Sequence, residues 1–500
     1  MDWNLRCVLL GTILMYVHVV QAKVDKSPPT IAVVGAGIGG ASLAYYLRKL
    51  FGNDVSIDMY EPHHVGGRLA TVKVGAAEFT SGGAVLHARN RYMAKFAEEL
   101  GLKHKKTFPG TTRSALYNGQ EFVFTTESAS RLLNFAKLLW RYGLDYVRLN
   151  KLIERTMTDF ENIYSLQDAG NAYSSVEELL HAMGGAKFVN MTQMSTKEGL
   201  EEEGFSTRFI DELAMAAIRK IYGQTVDVPF FPGATSLVGT QPGLWTVDGG
   251  NKRVPMELIN TAKVKLIPGV VHKVTLKNSK DQPKFLLQYR LKDPNDNQML
   301  TEQKEYDIVI VATPLHEGKS NITFTDFPTP LPQIRGRFHR TVETIVQGKL
   351  NAEYFGVSDP KDAPTNIMTV NANIPFNSIA IQTPVSIPND YSPVGPESED
   401  AVWKVASQRP LADSEIRQLF TVVKDRQVVD WLAYPHYTIP GHLGTFVLHN
   451  GLYYVNGIEW AASAMEMSVI GGRNVALLSY NWWYGLDAKV DPGKSTKTEL

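Results

Sequence analysis

The chain has 500 residues, of which 44% are hydrophobic and 20% are charged. These fractions are ordinary for globular proteins and exclude a fully disordered, collagen-like or polytopic membrane protein. Lysine and arginine together number 51, as do aspartate and glutamate, so there is no overall basic surplus to neutralise nucleic-acid phosphates. At about 150 residues per domain, the length corresponds to roughly three domains or to one large two-lobed enzyme.

The first 22 residues have the pattern of a secretory signal peptide. Arg6 precedes a largely apolar run over 7–20, and Ala22 ends a short segment that suits signal cleavage. An ordinary membrane span needs about 20 residues, so this run is too short to form one. An N-terminal anchor and a buried strand are the alternatives to a signal peptide. Cys7 is the one cysteine of the chain, so cleavage would leave no thiol for a disulfide, a nucleophile, a zinc site or a cysteine-linked cofactor.

Two sequons and the last four residues bear on the compartment. Asn190 and Asn321 each begin an Asn-X-Thr triplet, which predicts N-glycosylation if the chain enters the secretory pathway. The chain ends in Lys-Thr-Glu-Leu, which is similar to an ER-retrieval tetrapeptide but equally consistent with a polar tail. The sequence therefore predicts the secretory pathway and leaves lysosome, secretion and ER retention open.

The first predicted elements after this segment form a strand–helix–strand unit. Residues 30–34 are rich in β-branched side chains, residues 38–50 place apolar side chains at helical spacing, and residues 55–60 form a second short strand. Such units build parallel sheets. The sequence therefore predicts an α/β domain at this end of the chain.

Strand signals of the same kind return twice, separated by two long insertions. Further along the chain we predict helices over 130–223, strands over 264–276, 285–291, 308–312 and 452–455, an exposed loop over 384–401 and a helix over 461–482. The predicted organisation is a signal peptide (1–22), a nucleotide-binding domain in three parts (23–115, 231–315 and 441–490), a substrate domain in two parts (116–230, mostly helical, and 316–440) and a polar tail (491–500). A chain that leaves one domain and returns twice predicts two lobes with a cleft between them.

The strongest local motif is the glycine-rich turn after the first strand, with Gly35, Gly37, Gly39 and Gly40. The first glycine permits a tight turn, the second lets a pyrophosphate approach the backbone, and the last allows close packing of helix and strand. Glu61 ends the next strand, where a carboxylate accepts hydrogen bonds from a ribose diol. This combination predicts a dinucleotide site, with an ordinary glycine-rich turn as the alternative.

The segment after Glu61 indicates which dinucleotide binds. Gly66, Gly67 and Arg68 resemble the glycine-pair-plus-arginine signature of flavoproteins of the amine oxidase and phytoene desaturase type. That resemblance implies FAD rather than NAD, with Arg68 close to the pyrophosphate. Two later segments are similar to the adenine-binding strand and the C-terminal flavin motif of such proteins, and they add Val271, Glu459 and Met465 as cofactor-binding candidates.

The wider resemblance is to the prenylcysteine oxidase family, including its oxidase-like members, from residue 31 to the end of the chain. The blocks at 244–252, 306–314, 433–437 and 456–467 carry it, because the nucleotide motifs are common to many flavoproteins. The resemblance implies an α/β, two-lobed, amine-oxidase-like fold with a Rossmann-type FAD-binding domain and a discontinuous α+β substrate domain. It also implies noncovalently bound FAD and no metal.

The same resemblance implies the reaction. Members of this family oxidise the thioether of free farnesyl- or geranylgeranylcysteine with molecular oxygen, giving an isoprenoid aldehyde, cysteine and hydrogen peroxide. A related secreted oxidase that acts on amines, and a protein of the same fold that mainly binds lipid or protein, are the alternatives. The partners expected are therefore prenylcysteine and oxygen, without nucleic acid or a membrane span, and with peripheral lipid or lipoprotein association open.

Catalytic candidates rest on position within these blocks. His87, Lys252 and His436 could position water or accept a proton, although a lone histidine is more often structural and Lys252 could instead contact phosphate or close a turn. A long isoprenoid chain requires an apolar channel. We expect the apolar helices at 130–150 and 205–222 to line it.

Overall fold

The computed structural model describes residues 26–493, except 109–110, 128–129, 278–281, 293–297 and 317. The predicted signal peptide, with Cys7, and the last seven residues lie outside these ranges. Within them, no helix combines the length and the apolar composition that a membrane span requires.

The strands are short in the nucleotide-binding part and long in the second insertion. They are β1 Thr30–Val34, β2 Ser56–Tyr60, β3 Thr71–Val74, β4 Ala77–Thr80, β5 Leu86–His87, β6 Ser114–Tyr117, β7 Phe122–Thr125, β8 Leu244–Trp245, β9 Lys265–Ile267, β10 Gly269–Lys277, β11 Lys284–Lys292, β12 Met299–Tyr306, β13 Ile308–Val311, β14 Thr323–Thr325, β15 Phe338–Leu350, β16 Asn366–Thr369, β17 Phe376–Gln382, β18 Val402–Ser407, β19 Phe420–Pro435, β20 Val447–His449 and β21 Leu452–Tyr454.

Most helices fall between β7 and β8, where the sequence predicts them. They are α1 Ile38–Phe51, α2 Arg91–Glu99, α3 Arg131–Tyr142, α4 Asp145–Phe160, α5 Asn162–Asp168, α6 Val176–Asn190, α7 Thr196–Glu202, α8 Thr207–Phe209, α9 Met215–Tyr222, α10 Phe230–Val238, α11 Arg253–Ala262, α12 Asp413–Leu419 and α13 Met465–Tyr484. A π-helical turn at Ile210–Ala214 joins α8 to α9, and a 3-10 turn at Asn456–Trp460 precedes α13.

A six-stranded sheet in the order β20-β21-β13-β1-β2-β9 forms the centre of the nucleotide-binding lobe. Its strands are parallel except for β20 at the edge. Side chains of β1 alternate between the two faces: Ile31 and Val33 pack in the cluster that contains α1 and α13, whereas Ala32 and Val34 pack against the four-stranded sheet β12-β11-β10-β14. Both faces are thus covered, as expected for parallel strands that are apolar throughout.

The second lobe is built on a seven-stranded sheet in the order β19-β15-β18-β17-β16-β6-β7. Because β6 pairs with β16 in parallel register, the two insertions contribute to one sheet. Helix α9 packs on β16 and β17 and brings the first insertion over this sheet. The two-lobed α/β fold predicted from the sequence is confirmed.

The element boundaries depart from the prediction at two places. The strand predicted over 264–276 is two strands, β9 in the six-stranded sheet and β10 in the four-stranded sheet. The strands predicted at 30–34, 308–312 and 452–455 and the helix at 38–50 are observed with shifts of at most one residue. The helix predicted over 461–482 begins only at Met465, because the 3-10 turn and the short segment after it occupy the residues before. The domain boundaries themselves stay predictions.

Candidate active site

The glycine-rich turn after β1 is held by close backbone contacts. Gly35 has a φ of +109°, and a Cβ atom there would lie 2.7 Å from the carbonyl oxygen of Ala312. A Cβ on Gly40 would lie 2.0 Å from the carbonyl oxygen of Gly35. These two glycines therefore serve the tight turn and the packing of helix on strand, as the motif predicts.

Gly37 of the first motif faces Gly66 and Gly67 of the second, whereas a Cβ on Gly39 would lie 3.2 Å from a methyl of Val455. Gly37 and Gly66 form an isolated parallel bridge, and a Cβ on Gly67 would lie 3.5 Å from the Cα atom of Gly37. Gly37 is also the N-cap of α1, which has no side-chain cap and no acidic residue in its first turn. Free N–H groups at a helix N-terminus bind anions, so this side-chain-free corner fits a pyrophosphate.

Glu61 lies against the same turn at the end of β2. Its Oε2 atom accepts a hydrogen bond from the backbone N–H of Ala36 at 3.1 Å, and Oε1 accepts one from His63 at 3.0 Å. These contacts hold the carboxylate beside the glycine-rich turn, where a ribose diol would follow the pyrophosphate.

Arg68 and Glu459 meet next to this corner. Arg68 donates to both carboxylate oxygens of Glu459 and to the carbonyl oxygen of Ala433, the last at 2.6 Å. The Glu459 side chain is only 2% exposed. Burial alone would lower the pKa of Arg68, but the Glu459 carboxylate outweighs burial and the pKa is raised. The Arg68 charge is thus already balanced by the protein, and direct contact of Arg68 with a pyrophosphate stays a prediction.

Asn456 adds a free acceptor to this cluster. Its Nδ2 atom donates to Glu459 at 2.7 Å, while its Oδ1 atom is buried and has no hydrogen-bond partner among the described residues. Buried polar atoms rarely lack a partner, and a hydroxyl-rich cofactor would supply one. Together with the corner formed by Gly37 and Gly67, this free acceptor shows that the residues present fit FAD.

Val271 and Met465, the remaining predicted cofactor contacts, lie at two other positions in the fold. Val271 is buried in β10 opposite Tyr289, next to a bulge. Met465 begins α13 and accepts a weak hydrogen bond from Asn251 Nδ2 at 3.7 Å. Asn251 also donates to the carbonyl oxygens of Gly83 and Ala84. Asn251 was not predicted as a site residue, although it stands beside Lys252 in a family-like block.

The three catalytic candidates are not brought together. The Lys252 ammonium donates to Thr71 Oγ1 at 2.6 Å and to Glu78 Oε2 at 2.7 Å. It is thus held by both strands of the β3–β4 hairpin. His436 contacts Arg337 through Nε2 at 3.1 Å. His87 accepts a hydrogen bond from Arg89 N–H at 3.2 Å through Nδ1. Burial lowers the pKa of both histidines, so both favour the neutral form.

A cavity of about 490 Å³ lies between the lobes. Ala84 and Val85 line it from the nucleotide-binding side, Leu244 and Trp245 from the segment that returns to that lobe, and Ala380 from the seven-stranded sheet. The segment that carries Ala84 and Val85 is bonded to the segment that follows the Gly37–Gly67 corner, because the Gly83 N–H donates to the carbonyl oxygen of Arg68 at 3.1 Å. His87, on a strand paired with β8, stands just behind this wall.

Lysines give the cavity a positive potential. Lys105 donates to the Thr383 carbonyl oxygen at 3.0 Å, and Lys220 donates to Asn366 Oδ1 at 2.9 Å. Burial lowers the pKa of each to about 8. Lys220 lines the cavity and is exposed to solvent, so the protein atoms around the cavity lower its pKa while the side chain keeps solvent access. Lys106 also lines the cavity, and no carboxylate does so among the described residues.

The predicted lining helices are only partly at the cavity. The segment 205–222 contributes Lys220, whereas the helices at 130–150 supply none of the lining residues in the described part of the chain. Several of their apolar side chains instead point outward, including Leu132 and Trp140. Amphipathic spacing predicted the helices correctly, but it cannot show which apolar face meets the cavity.

Glu343 carries a buried carboxylate oxygen that was not predicted from the sequence. The Glu343 side chain on β15 is 14% exposed, and its nearest cation is Lys404 Nζ at 4.0 Å. Its Oε2 atom has no hydrogen-bond partner within the described ranges, and burial raises its pKa. A glutamate in a strand is usually solvated. Its burial depends on the pairing of β15 with β18 and β19, which are distant in the chain, so the local sequence could not predict it.

The prenylcysteine lyase family matches residues 125–492, and an NAD(P)-binding Rossmann-like domain matches residues 33–100. The chain belongs to the prenylcysteine lyase family. It is 40% identical over 498 residues to human Prenylcysteine oxidase 1-like, covering 98% of this chain and 99% of that one. It is equally 40% identical over 489 residues to human Prenylcysteine oxidase 1, covering 96% and 95%.

Solved structures share the fold at low identity. A putrescine oxidase triple mutant aligns with a TM-score of 0.56 at 15% identity, over 90% of this chain and 98% of that one. Cyclohexylamine oxidase from Brevibacterium oxydans aligns with a TM-score of 0.55 at 14% identity, over 91% and 99%. These structures show the fold alone. The family match and the relatives at 40% identity confirm the predicted family, the oxidoreductase class and FAD as the dinucleotide.

Proposed function

We propose that this protein is an FAD-dependent oxidase that cleaves the thioether of free prenylcysteines. One observation carries the proposal: the cavity between the lobes combines apolar side chains and lysines within a lining rich in threonine, and it adjoins the corner that fits FAD. Val85 and Leu244 offer apolar surface to an isoprenoid chain, and Lys105 and Lys220 offer positive charge to the amino-acid carboxylate. Membership of the prenylcysteine lyase family supports the substrate class.

The proposed reaction consumes one prenylcysteine, one oxygen molecule and one water. The carbon between sulfur and the double bond is oxidised, its bond to sulfur breaks, and water supplies the aldehyde oxygen. The products are an isoprenoid aldehyde, cysteine and hydrogen peroxide, which balances atoms and electrons. FAD supplies the two-electron chemistry when bound, and the chain binds and orients the substrate and limits the access of water.

The cavity charge disfavours the amine-oxidase alternative. A polyamine would bring positive charge beside Lys105 and Lys220, and no carboxylate from the described residues lines the cavity to balance it. Like charges at short range repel unless they are screened. Identity does not separate oxidase from oxidase-like relatives, since both are 40% identical to this chain.

The test measures hydrogen peroxide release by the purified flavin-loaded protein. Farnesylcysteine should give peroxide together with equal amounts of free cysteine thiol and farnesal, while putrescine should give none. Peroxide from putrescine alone would establish the amine oxidase instead. A full flavin load without peroxide from either substrate would overturn the catalytic proposal in favour of a binding role.

We also propose that the protein resides in the secretory pathway, in lysosomes or outside the cell, and associates peripherally with lipid. Exposed side chains at Asn190 and Asn321 support glycosylation, although the Thr192 hydroxyl of the first sequon is buried. Endoglycosidase treatment of the protein from secreting cells should increase its mobility in two steps, which Asn190→Gln and Asn321→Gln should remove one at a time. Unchanged mobility would argue against this location.

A further inference from the structure

We propose that the outward face of α3 and the start of α4 docks on the surface of a phospholipid bilayer that contains anionic lipids. The α3–α4 apolar face consists of Leu132, Leu133, Phe135, Trp140, Leu144 and Val147. The inference specifies the surface for the lipid association proposed above, and it does not depend on the chemistry of the cavity.

The face concentrates exposed apolar side chains that are otherwise scattered. Of the 18 large apolar side chains exposed among the described residues, six lie between positions 132 and 147. Leu132 is 84% exposed and Trp140 is 88% exposed. Single exposed apolar side chains are ordinary, whereas a contiguous patch marks a site of association.

Helix α3 is apolar on two sides. Tyr142 is buried and Leu138 packs against the core, so the helix is already anchored by its inner face. At about 100° per residue, Leu132, Leu133 and Trp140 fall on an arc that points away from that face. The rings of Phe135 and Tyr146 lie 5.9 Å apart and join α3 to α4 in one surface.

Charge on these two helices favours an anionic partner. Residues 131–151 contain five basic residues and one acidic residue. The acidic residue, Asp145, is buried, whereas Arg148 is about half exposed and Lys151 is exposed. Arg141 is paired with Glu212, Lys137 with Glu127 and Arg148 with Asp145. The exposed Lys151 and the solvent-facing part of Arg148 therefore carry the attraction. Basic side chains near a membrane surface are drawn to anionic lipid headgroups.

The shape of the face favours a bilayer over a protein partner. Side chains that are more than four fifths exposed project from the surface and do not line a groove. Tryptophan beside arginine at the border of an apolar stripe is typical of helices that lie in the membrane interface. Because projecting apolar groups can sink into a fluid interface without a complementary pocket, lipid is the occupant that this geometry fits.

The experiment is co-sedimentation of the purified full-length protein with two kinds of vesicle. One contains phosphatidylcholine alone, and the other also contains phosphatidylglycerol at roughly one lipid in three, which gives a strongly negative surface. We expect binding to the mixed vesicles that weakens in high salt. The double variant Leu132→Ser, Trp140→Ser should lose at least about tenfold in partitioning. The matched control Val423→Ser, Val428→Ser removes apolar groups exposed on β19 and should bind like the unaltered chain.

Melting temperature and flavin absorbance of both variants should match those of the unaltered protein, which separates lost docking from misfolding. Peroxide release with soluble substrate is measured in parallel, so failure of the oxidase proposal and failure of docking are distinguishable. Equal vesicle binding by the two variants, or no binding by the unaltered chain, would overturn the inference. If the unaltered chain does not bind vesicles but forms a dimer by light scattering, and the Leu132 and Trp140 changes dissociate that dimer, the face binds a second copy of the chain instead.

Discussion

Arg68 and Glu459 are 391 residues apart in the chain and form a two-point ion pair beside the glycine corner. One comes from the glycine-pair segment that follows β2 and the other from the 3-10 turn before α13. The pair therefore joins the first and last parts of the nucleotide-binding lobe at the place where FAD fits.

Removing one partner of this pair should destabilise the folded chain. Glu459→Ala leaves the Arg68 guanidinium, which is 30% exposed, without its counter-charge. The cost should lie between the about 1 kcal/mol of an exposed pair and the about 3–5 kcal/mol of a fully buried one. We expect a lower free energy of unfolding in urea and a smaller flavin-to-protein absorbance ratio. The matched control is Asp430→Ala, which breaks the exposed pair with Arg340 and should cost less than about 1 kcal/mol. Equal losses in both variants would contradict a structural role for the buried pair.

The glycine corner predicts two distinct effects of a methyl group. On Gly37 a Cβ would meet only the Gly66 carbonyl oxygen at 4.0 Å, so Gly37→Ala should fold normally but lose flavin affinity by about tenfold or more, because the methyl occupies the pyrophosphate position. Gly35→Ala should instead lower stability, by about 1–3 kcal/mol from backbone strain and further through the clash with Ala312.

Flavin titration and thermal unfolding measure the two effects. Gly52→Ala is the control, since Gly52 also has a positive φ of +85° but has open space around it at the far end of α1. It should lower stability slightly and leave flavin binding unchanged. Normal flavin affinity in Gly37→Ala would place the pyrophosphate elsewhere.

Local sequence predicted the dinucleotide corner because its requirements are local. Gly35, Gly37 and Glu61 lie within one strand–helix–strand unit, and their roles follow from backbone geometry that a motif encodes. The same reasoning assigned Arg68 and Glu459 separately to the cofactor. It did not predict that they bind each other, because nothing in either segment specifies contact with the other.

Local sequence did not predict the surroundings of the catalytic candidates. Lys252 was predicted from a family-like block, and the structure pairs it with Glu78 of the β3–β4 hairpin. Glu343 was not chosen, because its burial depends on the pairing of β15 with two strands that come much later in the chain. Tertiary contacts of this kind decide whether a charged side chain is solvated, paired or available.

The cavity lysines predict a pH dependence of substrate binding. Burial lowers the pKa of Lys220 to about 8, so its positive charge is lost as pH rises through that value. We expect KM for farnesylcysteine to rise above pH 8 while kcat changes less. Lys220→Met should raise KM at pH 7 and flatten this rise, and Lys220→Arg should keep KM low at higher pH. A KM that is independent of pH in all three proteins would remove Lys220 from carboxylate binding.

The same lysine also predicts the sign of a stability change. Its pKa is lower in the folded chain than the ordinary value of 10.5, so the unfolded chain binds more protons between about pH 8 and 10.5. Because the Lys220 side chain is also exposed to solvent, water screens the penalty of burying its charge and the effect should be small; it is present below pH 8 and is relieved as pH rises through that window. Lys220→Met should remove this contribution, which urea unfolding at pH 7 and pH 9.5 would detect.

Glu466 makes the opposite prediction at lower pH. Its buried carboxylate accepts hydrogen bonds from the backbone N–H groups of Tyr92 and Met93, at 2.8 and 3.0 Å, and from the Tyr164 hydroxyl at 2.8 Å. It thereby caps α2, which has no N-cap side-chain bond of its own. Burial outweighs these three bonds and raises the pKa of Glu466 to about 7.

Because the folded chain then binds more protons than the unfolded chain between about pH 4.5 and 7, this group stabilises the fold most at the acidic end of that window. Its contribution falls by about 3 kcal/mol as pH rises to 7. Glu466→Gln keeps an acceptor for α2 but cannot ionise, so its free energy of unfolding should change less between pH 5 and 7 than that of the unaltered chain. Parallel pH profiles for Glu466→Gln and the unaltered chain would show that Glu466 is ionised throughout this range.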